Sequence, residues 1–490
     1  MIPPRLTLLN ESAIARVLDE ARQLLEDPGV RVHSDRALDL LEGAGARIDR
    51  AGRIARLPAD LVDRCLATVP RSFYLYDLAG NPVVHYGGDD VHFDPGSATL
   101  EILDYRAPTS RKPVTADLIR AARLADSLPA YDAVSTCMVP SDVPEAMGDL
   151  YRLYLNLLNS GKPNVTGAFA VESWHTMKDL LAVIAGGEDA LREKPRAVFD
   201  ICPSPPLLWS GITVENLIDC ALFGVPAELV SMPLTGATAP VTIIGAVVQH
   251  AAESLSGIVI HQTAQPGAPI VWGGAPTAFD MRAGATPMGA IETAMIDASY
   301  CQVGKSLGLP THAYLGSSDA KVVDAQAGYE SAWGILIAAL AGINMVSGAG
   351  VLDFETCFSL EKTVIDAEII DQVRWFRRGV NVREGTLALD VMREVGHGGY
   401  FLAHPSTRKL YREELRTPTC VTDRDYRRDW EASGSLDALD HAHQRVEELL
   451  AAWQPPALTA EQIAELDRIA LAAARAAGMD ALPAKDVSPI

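Results

Sequence analysis

The densest group of reactive side chains in this chain lies in the segment GSSDAKVVDAQAGYE (316–330), which carries Asp319, Lys321, Asp324, Gln326 and Glu330. A carboxylate pair there would balance a bound cation. A lysine there would attack a carbonyl as a Schiff-base nucleophile, or clamp a carboxylate. Schiff-base use needs a desolvated ammonium, and acidic neighbours would raise the pKa of Lys321 rather than lower it. The same residues also suit a solvated loop held by an Asp–Lys pair. A second group, VSGAGVLDFETCFSLEK (346–362), carries Asp353, Phe354, Glu355 and Cys357. No basic residue adjoins Cys357, which fits an inert thiol. His312, His397 and His404 are widely spaced and no HExxH motif occurs, so spacing points to no metal site.

Aromatic residues make up only 6% of the chain, so their positions carry information. Trp209, Trp272, Phe279, Tyr314, Phe354, Phe358 and Tyr400 fall in or beside loops that follow short apolar runs. Aromatic faces attract cations, and several together cage quaternary ammonium groups. The alternative for each is ordinary packing.

These groups are positioned by a repeated unit. A short apolar run ends in a loop of Gly, Pro, Ser and Thr, and an amphipathic helix follows. The runs are 133–139, 164–170, 197–203, 227–233, 269–275, 311–317 and 343–349, with an eighth expected near Tyr400–Leu402. Parallel strands need crossover helices, so seven or eight such units predict a (β/α)8 TIM barrel, with an open doubly wound sheet as the competitor. No GxGxxG opens the first unit, which weighs against a dinucleotide fold. The loops 203–212, 233–242, 273–287, 315–328 and 348–360 are expected to face one cavity, because such barrels put catalysis at the strands' C-terminal ends. The division expected is 1–127 for an N-terminal helical and small β element, 128–411 for the barrel, and 412–490 for a C-terminal helical extension that docks a neighbouring subunit in a homo-oligomer.

Composition bounds the function. The chain has 490 residues, 48% hydrophobic and 21% charged, a globular balance. Its 63 acidic and 42 basic residues leave a formal charge of −21, which argues against nucleic-acid and anionic-membrane partners. The seven cysteines are scattered with no CxxC, so neither a disulfide framework nor a structural zinc site is expected. The N-terminal MIPPRLTLLNES lacks a signal-peptide core, Gly334–Val346 is short for a membrane span, and Gln249, His250 and Glu253 interrupt Ile243–Ile260. A cytoplasmic location is expected.

The stretches HFDPGSATLEILDY, DAKVVDAQAGYES, SGAGVLDFETCFSLEKTVIDAEI and GHGGYFLAHPSTRKLYREEL resemble the trimethylamine methyltransferase superfamily, the corrinoid-dependent methylamine methyltransferases. The likeness covers nearly the whole chain, and the motif at 347–369 is the most specific. It implies a TIM barrel that moves a methyl group from an amine to the cobalt of a separate corrinoid (cobalamin) protein. Some members carry pyrrolysine in the barrel. This chain has only standard residues and so resembles the branch without it, whose members act on quaternary amines such as glycine betaine. The loop 350–358 is the expected counterpart of the pyrrolysine position.

On that resemblance, glycine betaine is the favoured substrate. Tyr314, Phe354 and Tyr400, with Trp272 in reserve, are the expected cage. Asp319 and Glu355 are the compensating carboxylates, and His312 or Lys321 would hold a substrate carboxylate. The basic stretch Arg408–Arg428 is a candidate dock for the corrinoid protein. The competing functions are a Schiff-base lyase using Lys321 and a non-catalytic quaternary-amine binding protein.

Overall fold

The computed structural model describes residues 3–385 and 387–485. Among them, eight short strands that pair in parallel are each followed by a helix. The strands are β1 (His92–Pro95), β2 (Val134–Ser135), β3 (Asn164–Thr166), β4 (Ala197–Ile201), β5 (Ala227–Ser231), β6 (Ile270–Gly274), β7 (His312–Tyr314) and β8 (Met345–Ala349). The helices are α1 (Thr115–Ser127), α2 (Gly148–Asn159), α3 (Val171–Ala185), α4 (Gly211–Phe223), α5 (Ile243–Ala264), α6 (Ile291–Ser306), α7 (Ala325–Ala341) and α8 (Leu360–Arg377). Local sequence explains their limits. Ser210, Thr242, Asp324 and Ser359 cap helix N-termini with side-chain oxygens, and Gly224 and Gly342 end α4 and α7 in the left-handed region.

Strands β2 to β6 form one parallel sheet in chain order, and β7, β8 and β1 form another. The two sheets touch at both margins. Trp272 of β6 bridges Thr311 just before β7, with Trp272 N–H donating to Pro310 O at 2.9 Å. At the other margin Asp132 N–H donates to Phe93 O of β1 at 2.8 Å, and Thr99 N–H to Cys137 O at 2.9 Å. Strand periodicity sorts the side chains. In β4, Ala197, Phe199 and Ile201 join the main core with the helices, whereas Val198 packs with Val165, Val271 and Met345 in a separate interior cluster. That cluster is closed from below by the hairpin Phe73–Tyr76/Pro82–Tyr86, which contributes Leu75, Val84 and Tyr86.

The strand count differs from expectation at both ends. His92–Pro95, expected to belong to a separate β element, pairs with β8 through Met345↔His92 and Val346↔Phe93. The boundary expected between residues 127 and 128 therefore falls between two strands of the same arrangement. HFDP reads poorly as a core strand because one of its buried side chains is the carboxylate Asp94. The run near Tyr400–Leu402 is not a strand. Phe401–Ala403 is a single 3-10 turn, Pro405 opens the helix Pro405–Glu414, and Tyr400 is 74% exposed. A proline at the first helical turn favours that outcome over an extended run.

The C-terminal helices Ala438–Ala452 and Ala460–Ala476 pack on this chain's own helices. His443 Nδ1 meets Glu361 Oε1 of α8 at 2.9 Å, and Tyr154 of α2 donates to Asp467 Oδ1 at 2.6 Å. Helix α5 is long and apolar enough to cross a membrane by length and composition, yet it is packed inside the protein with 78% of its most apolar window buried.

Arg416 explains how the chain after α8 is fastened. It binds Glu368 of α8 in two parallel contacts of 2.6 and 2.9 Å, and Thr419 N–H and Thr422 Oγ1 donate to the same carboxylate. These donors outweigh burial and hold the Glu368 carboxyl down to about 2. Arg416→Met would strand a buried carboxylate and is expected to cost on the order of 3 kcal/mol in chemical denaturation. The contribution is present above the ordinary glutamate pKa and is lost as pH falls through about 2, so variant and parent should converge only in strong acid.

Candidate active site

A chain of polar side chains crosses the interior between the strands. Tyr314 of β7 donates its hydroxyl to Asp200 Oδ2 of β4 at 3.0 Å. Asp200 faces Glu228 of β5, and Tyr86 of the lower hairpin donates to Glu228 Oε2 at 3.2 Å. His312 of β7 lies with Nδ1 3.2 Å from Glu228 Oε1 and Nε2 3.0 Å from Ser347 Oγ of β8. Ser347 donates to Asp94 Oδ1 of β1 at 2.6 Å. Five strands thus meet in one network. Burial pushes Asp200 and Glu228 up, and the charges of Asp200 and Asp94 raise Glu228 further. Asp200 Oδ1 and Glu228 Oε1 receive no N–H or hydroxyl donor, so the two facing carboxyls call for a shared proton. Burial lowers His312 to about 3, so its imidazole is neutral.

Above this network sits Glu355. It ends three consecutive non-glycine residues in the left-handed region, Asp353 (φ 50°), Phe354 (φ 56°) and Glu355 (φ 65°). Such a run costs about 1–2 kcal/mol per residue. It persists because the short antiparallel pair Val351–Leu352/Cys357–Phe358 clamps both ends, and Asp353 N–H is tied to Ala320 O at 3.0 Å. Glu355 Oε1 is buried without a donor, and burial lifts the carboxyl to about 8, helped by the charges of Asp200 and Asp319. Asp319 is lifted to about 6 by burial, against one donated N–H from Gly289 at 3.1 Å. Asp297 of α6 is fully buried with both oxygens unpartnered, and it too is raised by burial and by Glu355. Val230, Ala275, Met288 and Tyr314 form a small apolar cluster beside these groups.

Four of the five loops expected to face one cavity meet in pairs. Leu234–Thr235 pairs with Thr277–Ala278, and Ser318 N–H donates to Val351 O at 3.1 Å. The loop after β4 bends away, because Leu208–Trp209 joins the N-terminal ribbon beside Val30–Val32. A cleft of about 650 Å³ beneath the hairpin, lined by Phe73, Tyr74, Tyr76 and Arg192, lies at the strands' opposite ends.

The structure brings Tyr314, His312, Asp319 and Glu355 to this place but not all the other expected residues. Trp272 points outward, packs against Gly304 of α6 and donates to Tyr300 O at 3.0 Å, so its face serves packing. Tyr400 is exposed beside the 3-10 turn, outside the strand ends. Phe354 stands at the rim with Lys321 Nζ 3.7 Å over its ring. Lys321 is 60% exposed, pairs with Asp353 at 3.2 Å and donates to Asp319 O, so it lacks the desolvation that Schiff-base chemistry requires. His312 is fully buried, with Nε2 engaged by Ser347 and Nδ1 turned to the Glu228 carboxyl without a hydrogen bond, a place that does not suit a substrate carboxylate. Cys357 is buried and its thiol is raised to about 12, in keeping with an inert thiol. Among the described residues no group of three or more His, Cys, Asp or Glu is arranged to hold a metal ion.

Asp94, Asp200, Glu228, Asp297 and Arg152 were not anticipated. Three of them had a signal: HFDP, AVFDI and AELVS each carry one carboxylate within an otherwise apolar strand. A charge in a buried run is rarely there for packing.

Residues 2–479 match the family model described as Trimethylamine methyltransferase (MTTB). The chain is 31% identical over 465 residues to a glycine betaine methyltransferase of Desulfitobacterium hafniense (strain Y51), covering 94% of this chain and 96% of that one. It is 32% identical over 456 residues to the trimethylamine methyltransferase MttB of Methanosarcina barkeri, covering 91% of each. The solved monomethylamine methyltransferase (MtmB) of Methanosarcina barkeri is similar with a TM-score of 0.49 at 14% identity, covering 89% of this chain and 93% of that one. With this network at its centre and a family match along almost its full length, the chain belongs to the trimethylamine methyltransferase family.

Proposed function

We propose that this protein transfers a methyl group from a quaternary amine, with glycine betaine favoured, to a corrinoid carried by a separate protein. One observation carries the reading. Asp94, Asp200, Glu228 and Glu355 lie near Tyr314, with Asp297 and Asp319 beside Glu355; four of the six are buried, Asp200 and Glu355 are partly buried, and each has an unpartnered buried oxygen. A bound cation relieves that cost, and an aromatic face beside the carboxylates suits an N-methylated one. The eight strands are read here as a closed (β/α)8 barrel, supported by the contacts at both margins, which puts the cluster at its C-terminal mouth.

The chemistry fits a chain of standard residues. A quaternary ammonium leaves as a neutral tertiary amine, so displacement at its methyl carbon needs no covalent activation. A tertiary amine would leave as an amide anion unless protonated or captured. A corrinoid in its Co(I) state supplies the nucleophile. The protein's part is to strip water from the cation, hold the C–N bond in line and keep the methyl open to the mouth. The rim suits a broad apolar face: Phe169, Val241 and Met281 are 50–66% exposed, and a Cβ at Gly236 would touch both Met281 and Val241. The basic stretch is a weaker dock than expected, since Arg416 is committed to Glu368, Arg427 to Glu431 and Arg428 to Asp429.

The direct test mixes the protein with a panel of betaines and cob(I)alamin or a corrinoid protein, and follows the demethylated amine by mass spectrometry. Absence of demethylation across the panel would overturn the reading. Cation affinity should also rise with pH between about 6 and 8. Glu355, held neutral below about 8, gains its charge over that interval, and a cation favours the ionised form. Titration calorimetry with tetramethylammonium should show this slope in the parent, and Glu355→Gln should flatten it and weaken binding roughly tenfold. A desolvated cation–π contact is worth ~2 kcal/mol, so Tyr314→Leu should weaken betaine roughly thirtyfold. The same change should barely affect the isostere with C(CH₃)₃ in place of N(CH₃)₃⁺, whereas a packing defect would weaken both alike.

A further inference from the structure

Arg152 of α2 is 1% exposed and extends to the C-terminal ends of β2 and β3. Its Nε donates to Gly148 O at 3.1 Å and its Nη1 to Thr136 O at 2.8 Å, and the guanidinium lies 4.6 Å from the centroid of the Phe169 ring. Among the described residues no carboxylate forms an ion pair with it. Two of its five N–H groups are engaged by carbonyls, which leaves three directed elsewhere. A buried guanidinium without a carboxylate is costly, because neutral carbonyls do not balance its charge. Burial lowers Arg152 to about 10, while the nearby charges of Asp149, Asp200 and Tyr314 favour its charged form, so it is a cation at neutral pH.

A simple quaternary amine in this mouth would meet the acidic groups on one side and a like charge on the other. A zwitterion meets both with the matching end. We infer that Arg152 is the carboxylate anchor of the site, and that the substrate is a zwitterionic N-methylated amino acid rather than a simple amine or an amino alcohol. The inference rests on the quaternary-amine reading and assigns the role that His312 and Lys321 do not fill. Arginine suits the task because its planar fork holds a carboxylate by two parallel hydrogen bonds, and Phe169 stacks on it to fix its plane.

The test compares glycine betaine with choline, which keeps the trimethylammonium and lacks the carboxylate, by titration calorimetry and by methyl transfer. Arg152→Gln should weaken glycine betaine roughly a hundredfold and choline less than about threefold, with Arg152→Lys between parent and Gln for betaine alone. Retained choline binding certifies the fold of each variant. If a variant fails to fold, the parent decides the matter: it should bind glycine betaine at least tenfold more tightly than the betaine methyl ester. Equal loss of both ligands in the variants, or equal binding of acid and ester by the parent, overturns the anchor while leaving a quaternary-amine site in place. Failure of the parent to bind any of the three overturns the quaternary-amine reading and the anchor with it.

Discussion

The line of polar side chains from Tyr314 through Asp200 and Glu228 to His312, Ser347 and Asp94, hydrogen-bonded at both ends, is the constraint that the surrounding structure answers. Its members come from β1, β4, β5, β7 and β8, so their spacing depends on how those strands sit around the interior. Buried carboxyls of this kind are stable only when their neighbours hold still, because a lost partner costs the full desolvation of the group. The molecule supplies that stillness from below and outside. The lower hairpin seats Leu75, Val84 and Tyr86 under the strands, with the Tyr86 hydroxyl reaching Glu228. The outward faces of the same strands pack into one continuous core with the helices. A polar interior is therefore enclosed by an apolar wall, and each requires the other.

The rim obeys a different logic. Asp353, Phe354 and Glu355 hold a conformation that none of them prefers, between two short paired strands that prevent relaxation. Strain of that sort is retained where it points a side chain that no relaxed turn would point. Here it sets the Glu355 carboxyl over Asp200, where its charge is disfavoured by burial and by its neighbours. Two unfavourable terms, strain and an unpartnered carboxyl, thus coincide at one residue. A bound cation offsets the second, and the pair of paired strands maintains the first.

Much of the frame was legible in the residues, and the places where it was not have physical causes. The expected alternation of apolar run, loop and helix is present, since each of the eight strands that pair in parallel is followed by a helix. The first strand was missed because HFDP carries a carboxylate inward and contains a proline. The spurious last strand near Tyr400 was apolar without being buried. At the site, Asp319, Glu355 and Phe354 stood out because they lie in loops dense with polar residues, and Tyr314 because it is an aromatic in a short apolar run. Asp94, Asp200 and Glu228 were missed because attention to loops overlooks a single charge within an apolar strand. Trp272 was misread because strand alternation sends it outward while Gly273 takes the inward place beside His312. Arg152 lies on a helix, in a stretch whose apolar period gives no sign that one of its side chains reaches the strand ends.

Charge balance joins these pieces. Deep in the interior, burial raises the Asp200 and Glu228 carboxyls toward their neutral forms and keeps His312 neutral. Nearer the mouth, Glu355 and Asp319 titrate close to neutrality, so a cation can displace a proton there at modest cost. Arg152 stands among the same groups with its charge unpaired by any carboxylate of the described residues. An empty mouth of this composition holds protons where a substrate ammonium would sit and leaves a guanidinium facing where a carboxylate would sit. Binding a zwitterion would exchange one proton for the ammonium and pair the guanidinium, taking these groups from one net positive charge to none. A methylated ammonium so placed is stripped of water and cannot itself be deprotonated. On the proposed reading its methyl carbon is the electrophile, and neutral tertiary amine is what would remain when the methyl departs.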